Sequence, residues 1–429
     1  MSKVRIAILG LGTVSTGVCK VIDINKEQIL KRSGYDIEIA KILVRDIHKE
    51  RELKFNEGIL TTDPEEIFSD DSIKIVVELI GGIEPAKEYI LRAINNKKHV
   101  VTANKALISN YGDEILNAAE KAGVKLYYEG SVAGGIPIIH GINESLTANK
   151  ISEIIGIING TTNYILTKMT FQNMEFKQAL EEAQAKGYAE ADPTSDIEGF
   201  DAVYKLTVLA SLAFGTEVDV KDVYREGITK ISKADIEFAR DLGYVVKLLA
   251  IGREKDGKLE LRVHPTFIPK MHPLANVNDV YNAIYIKGNA VGDLMLYGKG
   301  AGEMPTGSAV VSDIISVLRH NMDNTYTVSQ RNIFWDKKVI PMEKTVSEYY
   351  LRFAVKDIPG VLGEITTLFG KNGVSIYSVI QKGKKGDPVV PIALITHSTE
   401  EHKINKSIEA ISKLPFVVGL ESLVRVITE

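Results

Sequence analysis

Val4-Arg5-Ile6-Ala7-Ile8-Leu9-Gly10-Leu11-Gly12-Thr13-Val14-Ser15 is the stretch that decides the fold of the first domain. Val4 to Leu9 is an apolar run of strand length. After the glycines, Val14, Val18, Val21, Ile22 and Ile29 recur at mostly helical spacing toward Leu30. The reading is strand, tight turn, helix. Gly10 permits the sharp exit from the strand, Gly12 lets the backbone approach a pyrophosphate, and the helix N-terminus offers free N–H groups and a positive dipole end. The third glycine of such a fingerprint is replaced by Ser15, small enough to keep helix and strand close with a slight widening.

Outward from this turn, strands and helices alternate. Ile37–Val44 and Ile75–Leu79 read as strands, the second closed by Gly81-Gly82, and Asp63-Pro64-Glu65-Glu66 reads as a helix start with an N-cap and a proline. His99–Thr102 and Val124–Tyr128 are further strands, separated by a helix around Asp113–Ala122. This predicts an α/β, doubly wound parallel sheet over residues 1–130, with its ligand at the carboxyl ends of the strands. The middle region, 131–320, changes to α+β character. It has a strand at Ile151–Ile157, a Val245–Pro265 hairpin turning at Asp256-Gly257, and strand pieces near Ile284 and Leu294. Helices are expected at Phe176–Lys186, Asp201–Phe214, Lys233–Leu242 and Ser308–His320, the last packing back on the first domain. Residues 321–347 read as a linker. Residues 348–429 read strand, helix, strand, strand, helix, strand, a ferredoxin-like βαββαβ module whose first turn is Asp357-Ile358-Pro359-Gly360-Val361-Leu362.

Composition excludes several classes. With 45% hydrophobic and 25% charged residues, the 429-residue chain can bury two or three cores. The net charge of −4 and the lack of a basic block argue against nucleic acid as a partner. No apolar run reaches the roughly 20 residues of a membrane span, and the N-terminus lacks a secretory pattern. Cys19 is the single cysteine, so no intrachain disulfide forms, and a reducing, cytoplasmic setting is expected.

Two stretches carry candidate chemistry. Lys105, in the loop Thr102-Ala103-Asn104-Lys105 after a central strand, can face the nicotinamide and substrate, although an ordinary surface lysine reads the same way. The segment Gly187–Lys205 places Glu190, Asp192, Asp196, Glu198 and Asp201 within twelve positions, a density suited to an ammonium group or a cation. A calcium loop fails because Pro193 breaks the ligand alternation and Ile197 occupies the turn position. Asp201 and Lys205 are four apart on one helix face. Either they form a surface pair, or the carboxylates hold a substrate ammonium while the lysine transfers a proton. Cys19 belongs to the dinucleotide helix and cannot serve as a thiolate nucleophile in a substrate pocket, leaving direct hydride transfer. At the end of the second strand, Arg45 suits a 2′-phosphate and Asp46 a ribose hydroxyl. The balance leans to NADP, with NAD open beside a merely solvated loop.

The chain resembles the homoserine dehydrogenases from end to end. The motifs that carry the resemblance are Gly10–Val14, Thr102–Lys105, Glu129-Gly130-Ser131-Val132-Ala133-Gly134-Gly135-Ile136-Pro137, Asn159-Gly160-Thr161-Thr162-Asn163-Tyr164, Gly187–Lys205, and Gly300-Ala301-Gly302-Glu303-Met304-Pro305-Thr306. The resemblance implies a Rossmann-type domain and interconversion of L-homoserine and L-aspartate 4-semialdehyde with NADP or NAD, on the route to threonine, methionine and isoleucine. It casts Lys205 as proton donor and Lys105 as a second lysine beside nicotinamide and substrate. Glu190, Asp196, Asp201, Tyr188, Gly160 and Thr161 would contact the amino acid, and Gly10, Gly12, Thr13, Val14, Arg45, Lys105 and Gly302 the cofactor. Glu129, Val132, Gly134 and Ile136 would bind a monovalent cation, sodium or potassium, chiefly through backbone oxygens. On residues alone, Gly130–Pro137 is only a tight crossover. The C-terminal module looks like an ACT domain with threonine as effector, and no room is left for an appended kinase domain. A homodimer or homotetramer is implied. The rival reading is a regulatory protein that binds dinucleotide and amino acid without turnover.

Overall fold

The computed structural model describes residues 2–320, 333–383 and 386–427. By packing, the chain forms two compact units, one of Met1–Ile154, Tyr204–Lys221 and Ile286–Asp336, the other of Ile155–Val203, Asp222–Tyr285 and Lys337–Glu429.

In chain order the first unit begins β1 (Ser2–Leu9), α1 (Thr13–Ile24), α2 (Lys26–Ser33), β2 (Tyr35–Leu43), β3 (Leu60–Thr61), α3 (Glu65–Phe68), β4 (Ile73–Glu78), α4 (Ala86–Asn95), β5 (His99–Thr102), α5 (Lys105–Ala122) and β6 (Leu126–Tyr127). The strands pair in parallel in the order β3-β2-β1-β4-β5-β6. The order reverses between β1 and β4, where a doubly wound sheet opens its ligand crevice. Ile6, Ala7, Ile8 and Leu9 are fully buried, as expected of a strand covered by helices on both faces.

Several boundaries differ from the sequence reading. The first helix does not run unbroken to Leu30, because Asn25 leaves helical geometry and α2 restarts behind it. Asp63 still caps, its Oδ1 accepting from the Glu65 amide at 2.9 Å. The strand expected at Val124–Tyr128 shrinks to Leu126–Tyr127. Helix α5 begins at Lys105, eight residues before Asp113. Asn104 caps it by accepting from the Leu107 amide, so Lys105 is the first residue of a helix and not part of a loop.

Next come α6 (Ile138–His140), β7 (Ile151–Ile157), α7 (Gly160–Gln172), α8 (Phe176–Ala185), α9 (Thr194–Ile197), α10 (Phe200–Phe214), β8 (Tyr224–Arg225), α11 (Lys233–Asp241), β9 (Tyr244–Lys255), β10 (Lys258–Pro269), β11 (Tyr281–Gly288), β12 (Gly292–Lys299) and α12 (Glu303–His320). The hairpin β9–β10 turns at Asp256 and Gly257, both at positive φ, as the pair predicts. Helix α12 starts at Glu303 and not at Ser308, because Pro305 lies in the first turn, where a missing N–H costs nothing. It crosses α1 so closely that a Cβ on Gly17 would sit 1.9 Å from the Glu303 carbonyl oxygen. Its Val310, Ile314 and Val317 share one buried core with β1, β2, β4 and α1.

Of the expected linker, residues 321–332 lie outside the described part. Beyond them the amides of Phe334 and Trp335 donate to the Gly215 carbonyl, and the Ile340 amide to that of Leu259. The last module is β13 (Val346–Lys356), α13 (Val361–Lys371), β14 (Ile376–Gln381), β15 (Val389–Thr396), β16 (Thr399–Glu400), α14 (Glu401–Ile411) and β17 (Val417–Val426), around a core that includes Leu351, Phe353, Ile365, Phe369, Ile392 and Ile404. Within the second unit its strands continue the hairpin: β17 pairs in parallel with β10, and β13, β15 and β14 follow antiparallel. No helix among the described residues is long and apolar enough to cross a membrane.

Candidate active site

The glycine turn is built as a phosphate seat. Gly10 holds φ of +91° with its amide donating to Leu43 O at 2.9 Å, and a Cβ there would press on the Leu79 carbonyl at 3.0 Å. Only glycine fits between the ends of β1 and β4. A Cβ on Gly12 would meet nothing within 4 Å, so the backbone faces open space where α1 begins, and Thr13 and Val14 form the first turn with its unsatisfied amides. Ser15 is fully buried and its hydroxyl has no hydrogen-bond partner among the described residues. Gly302, at φ +125°, stands just ahead of α12 and accepts from the Thr306 amide at 3.0 Å. Arg45 is exposed directly after buried Val44. Beside it Arg51 donates to the Lys49 carbonyl at 2.7 Å, and Lys49 and Arg51 share a cavity with Leu11 and Thr16 of the turn. Burial pushes the Cys19 thiol up to about 11, which keeps it an inert core residue.

Lys105 is placed by a relay that the sequence does not advertise. Glu78, fully buried at the end of β4, accepts from the Ile80 amide at 2.7 Å and from the Thr102 hydroxyl at 2.6 Å. Thr102 Oγ1 in turn accepts from the Asn104 amide at 3.0 Å, and Asn104 Nδ2 donates to Gly82 O at 2.7 Å. The carboxylate therefore ties the ends of β4 and β5 together and fixes the helix start that carries Lys105.

In the second unit the acidic segment separates into roles. Asp196 and Asp201 converge on one donor: Asn159 Nδ2 lies 2.6 Å from Asp196 Oδ1 and 2.9 Å from Asp201 Oδ2. Asn159 Oδ1 caps α7 through the Thr162 amide at 2.8 Å, so the two carboxylates are fixed to the start of that helix. Thr161 donates to the Tyr188 carbonyl at 2.6 Å, and a Cβ on Gly160 would be 2.9 Å from Val280 O. Asp192 is spent on Thr194, and Glu198 on Thr229. Glu190 is exposed and its carbonyl accepts from Gln184; among the described residues no hydrogen bond joins its side chain to the carboxylate cluster. Helix α10 carries Asp201 in its first turn and Lys205 one turn on, 3% and 8% exposed. A surface pair is thereby excluded.

The Glu129–Pro137 crossover is tightly held. Glu129 accepts from the Ile139 amide at 2.9 Å and the His140 amide at 2.6 Å, while its own amide donates to Asp313 Oδ2 at 2.8 Å. Asp313 Oδ1 lies 2.8 Å from His140 Nε2. Burial pushes the Glu129 carboxyl up to about 7, and the Asp313 carboxylate beside His140 lifts the imidazole to about 9. Ala133 and Gly134 are both left-handed, at φ 53° and 38°, and a Cβ on Gly134 would sit 2.7 Å from Gly300 O. The carbonyl of Ile136 accepts from the Ile138 amide at 2.8 Å. Among the described residues no three acidic, histidine or cysteine side chains cluster as a metal site, so a cation here would depend on main-chain oxygens. In the C-terminal module the Asp357–Leu362 turn leaves Ile358 and Leu362 exposed, with Gly360 at φ +94° before α13.

A parallel sheet of this order with a phosphate seat after β1, a capped lysine after β5 and buried acid and lysine groups on α10 defines a nicotinamide-dependent oxidoreductase. Three family models match: homoserine dehydrogenase, NAD binding domain, over residues 10–129, homoserine dehydrogenase over 137–315, and ACT domain over 349–416. The homoserine dehydrogenase of Pseudomonas aeruginosa is 44% identical over 434 residues, covering 99% of each chain. A crystal structure of a homoserine dehydrogenase from Thiobacillus denitrificans superposes with a TM-score of 0.94 at 44% identity, covering 100% of this chain and 99% of that one. A hyperthermophilic archaeal homoserine dehydrogenase in complex with NADPH gives a TM-score of 0.61 at 28% identity over 74% of this chain and 98% of its own. The chain belongs to the homoserine dehydrogenase family, with a C-terminal ACT domain. The alternative of a binding protein without turnover falls with that assignment.

Proposed function

We propose that Lys205 is the proton donor in the interconversion of L-aspartate 4-semialdehyde and L-homoserine, with Lys105 beside nicotinamide and substrate. The reduced nicotinamide, when bound, supplies a hydride to the aldehyde carbon. The carbonyl electron pair then moves onto oxygen, which takes a proton from the Lys205 ammonium; oxidation of homoserine runs the same transfers backwards. Asp196 and Asp201 hold the substrate ammonium, Gly160 and Thr161 at the start of α7 receive its carboxylate, and Tyr188 and Glu190 border it. The observation that carries this reading is the burial of Asp201 and Lys205 one turn apart on α10, with Asp201 joined to Asp196 through Asn159. Desolvation makes the proton affinity of such a lysine tunable.

Gly10, Gly12, Thr13, Val14 and Gly302 hold the dinucleotide, and Arg45 takes the 2′-phosphate of NADP in preference to NAD. The fit rests on the open backbone at Gly12 and the exposed guanidinium after β2. A sodium or potassium ion would be held by main-chain oxygens of Glu129, Val132, Gly134 and Ile136. The left-handed pair Ala133 and Gly134 supports this, and the ion would contribute rigidity to the crossover rather than chemistry. Threonine is the proposed effector at Asp357–Leu362 of the ACT module. The enzyme is placed in threonine, methionine and isoleucine synthesis, in the cytoplasm, as a homodimer or homotetramer. Domain limits of 1–130, 131–320 and 348–429 complete the proposal.

Steady-state kinetics with NADP and NAD, with and without threonine, test it. Arg45→Ala should lower kcat/KM for NADP by roughly 10–100-fold, the worth of a charge-assisted hydrogen bond, and leave NAD nearly unchanged. Equal losses with both cofactors would remove Arg45 from phosphate recognition.

A further inference from the structure

Lys247 on β9 and Asn163 on α7 are both buried in the second unit, and the proton and hydride transfers use neither. The oxygens that accept from Lys247 Nζ are neutral: Asn163 Oδ1 and Asn278 Oδ1, each 3.1 Å away, and the Val277 carbonyl, in close contact. A lysine kept out of water on neutral acceptors costs stability that an apolar side chain of its volume would not. Stability alone therefore does not account for it.

The three acceptors belong to a clamp. Asn163 turns Oδ1 toward Lys247, since the opposite orientation would set its amide donor against the ammonium. That leaves Nδ2 to donate to the Val277 carbonyl at 3.2 Å and the Tyr281 carbonyl at 3.0 Å. Between those carbonyls Asp279 stands at φ 54°, its amide donating to Thr167 Oγ1 at 3.0 Å. The 277–281 loop is thus fastened to α7 at both ends and in the middle, and Lys247 ties loop and helix to β9. The loop then meets the first turn of α7, where a Cβ on Gly160 would lie only 2.9 Å from the Val280 carbonyl oxygen. The Asn163 amide donates to the Asn159 carbonyl at 3.3 Å, directly beneath the cap that Asn159 makes to Thr162. The start of α7 is therefore backed by a loop whose place Lys247 sets.

We propose that Lys247 is a positioning residue for substrate binding: through Asn163 and the 277–281 loop it holds the turn Asn159-Gly160-Thr161, a role that rests on the reading of that turn as the seat of the substrate carboxylate. Lys247 acts on the seat and not on the reacting atoms, so its loss loosens the hold on substrate while hydride and proton transfer stay intact. A neutral amine still keeps two N–H donors for the clamp, so the role persists in either protonation state.

Steady-state kinetics of the full chain with L-homoserine and saturating NADP test this on two variants: Lys247→Met, similar in length without the donors, and Lys247→Arg, bulkier with them. In Lys247→Met the KM for L-homoserine should rise roughly tenfold or more, while kcat and the NADP Kd stay within about threefold of wild type. Lys247→Arg should lie closer to wild type than Lys247→Met does. A side chain that only fills space gives the reverse order, Met tolerated and Arg harmful; that order, an unchanged KM, or a loss confined to kcat overturns the proposal. If Lys247→Met does not fold, Lys247→Gln, which keeps an N–H donor at shorter reach, takes its place; a KM raised about threefold or more supports the role and an unchanged KM overturns it. A crystal structure of the wild type with L-homoserine and NADPH, which cannot react together, separates this role from the reading beneath it. With the carboxylate on the Gly160 and Thr161 amides, an unmoved KM faults Lys247 alone. A carboxylate bound elsewhere overturns the seat, and the positioning role with it.

Discussion

Lys247 offers a prediction whose size follows from its surroundings. It is 3% exposed on β9, with Nζ 3.1 Å from Asn163 Oδ1, 3.1 Å from Asn278 Oδ1 and in contact with the Val277 carbonyl. Those acceptors are neutral. Burial outweighs the distant help of Asp279 and lowers the ammonium from its ordinary value of 10.5 to about 7. In the unfolded chain the same lysine titrates near its ordinary value, so between pH 7 and 10.5 the unfolded state binds more protons, and stability rises with pH. At about 1.4 kcal/mol per tenfold change in proton affinity, the full span is of order 5 kcal/mol. The stabilisation is complete above pH 10.5 and is lost as pH falls through 7. Urea unfolding of the wild type and Lys247→Met, each measured from pH 7 to 10, should show the wild type gaining several kcal/mol on the variant as pH rises. A difference that stays constant across that range would mean Lys247 remains charged in the fold, and the argument from burial would be wrong.

Two further substitutions probe the first unit. Ser15→Gly removes a buried hydroxyl that has no partner among the described residues, so dinucleotide should bind at least as tightly by titration calorimetry, while the helix loses roughly 0.5–1 kcal/mol of stability; clearly weaker binding would show that the hydroxyl contacts the pyrophosphate. Gly17→Ala places a methyl 1.9 Å from the Glu303 carbonyl oxygen, and backbone must move to admit it. A loss of about 1–3 kcal/mol or more is expected in thermal or urea unfolding, and an unchanged midpoint would contradict the close crossing of α1 and α12.

Local signals carried much of this structure. Gly10 and Gly12 were legible because a strand, a turn with positive φ and a helix each leave a mark within a dozen residues. Asp201 and Lys205 were legible as a pair through helical spacing alone. Spacing said nothing of Asn159, which joins Asp196 and Asp201 across 37 and 42 residues, or of Glu78, which reaches Thr102 across 24. Hydrogen bonds between distant strand ends have no periodicity to read. The early start of α5 was hidden because Asn104 and Lys105 precede any apolar repeat, and the cap that starts the helix is a single side chain. The α1–α12 crossing depends on Gly17 and Gly307, neither of which differs in sequence from a tolerated helical glycine. The acidic run misled in the opposite direction, since charge density alone cannot separate Asp196 and Asp201 from Asp192, which only caps a turn.

The central claim is that the buried α10 lysine transfers the proton. Homoserine-dependent reduction of NADP by the wild type and Lys205→Ala, with cofactor affinity measured on the same preparations, tests it most directly. The account predicts turnover in the wild type and a fall in kcat of roughly 10²–10⁴-fold in the variant with unchanged cofactor Kd; an active variant, or one whose cofactor binding collapses, would contradict it.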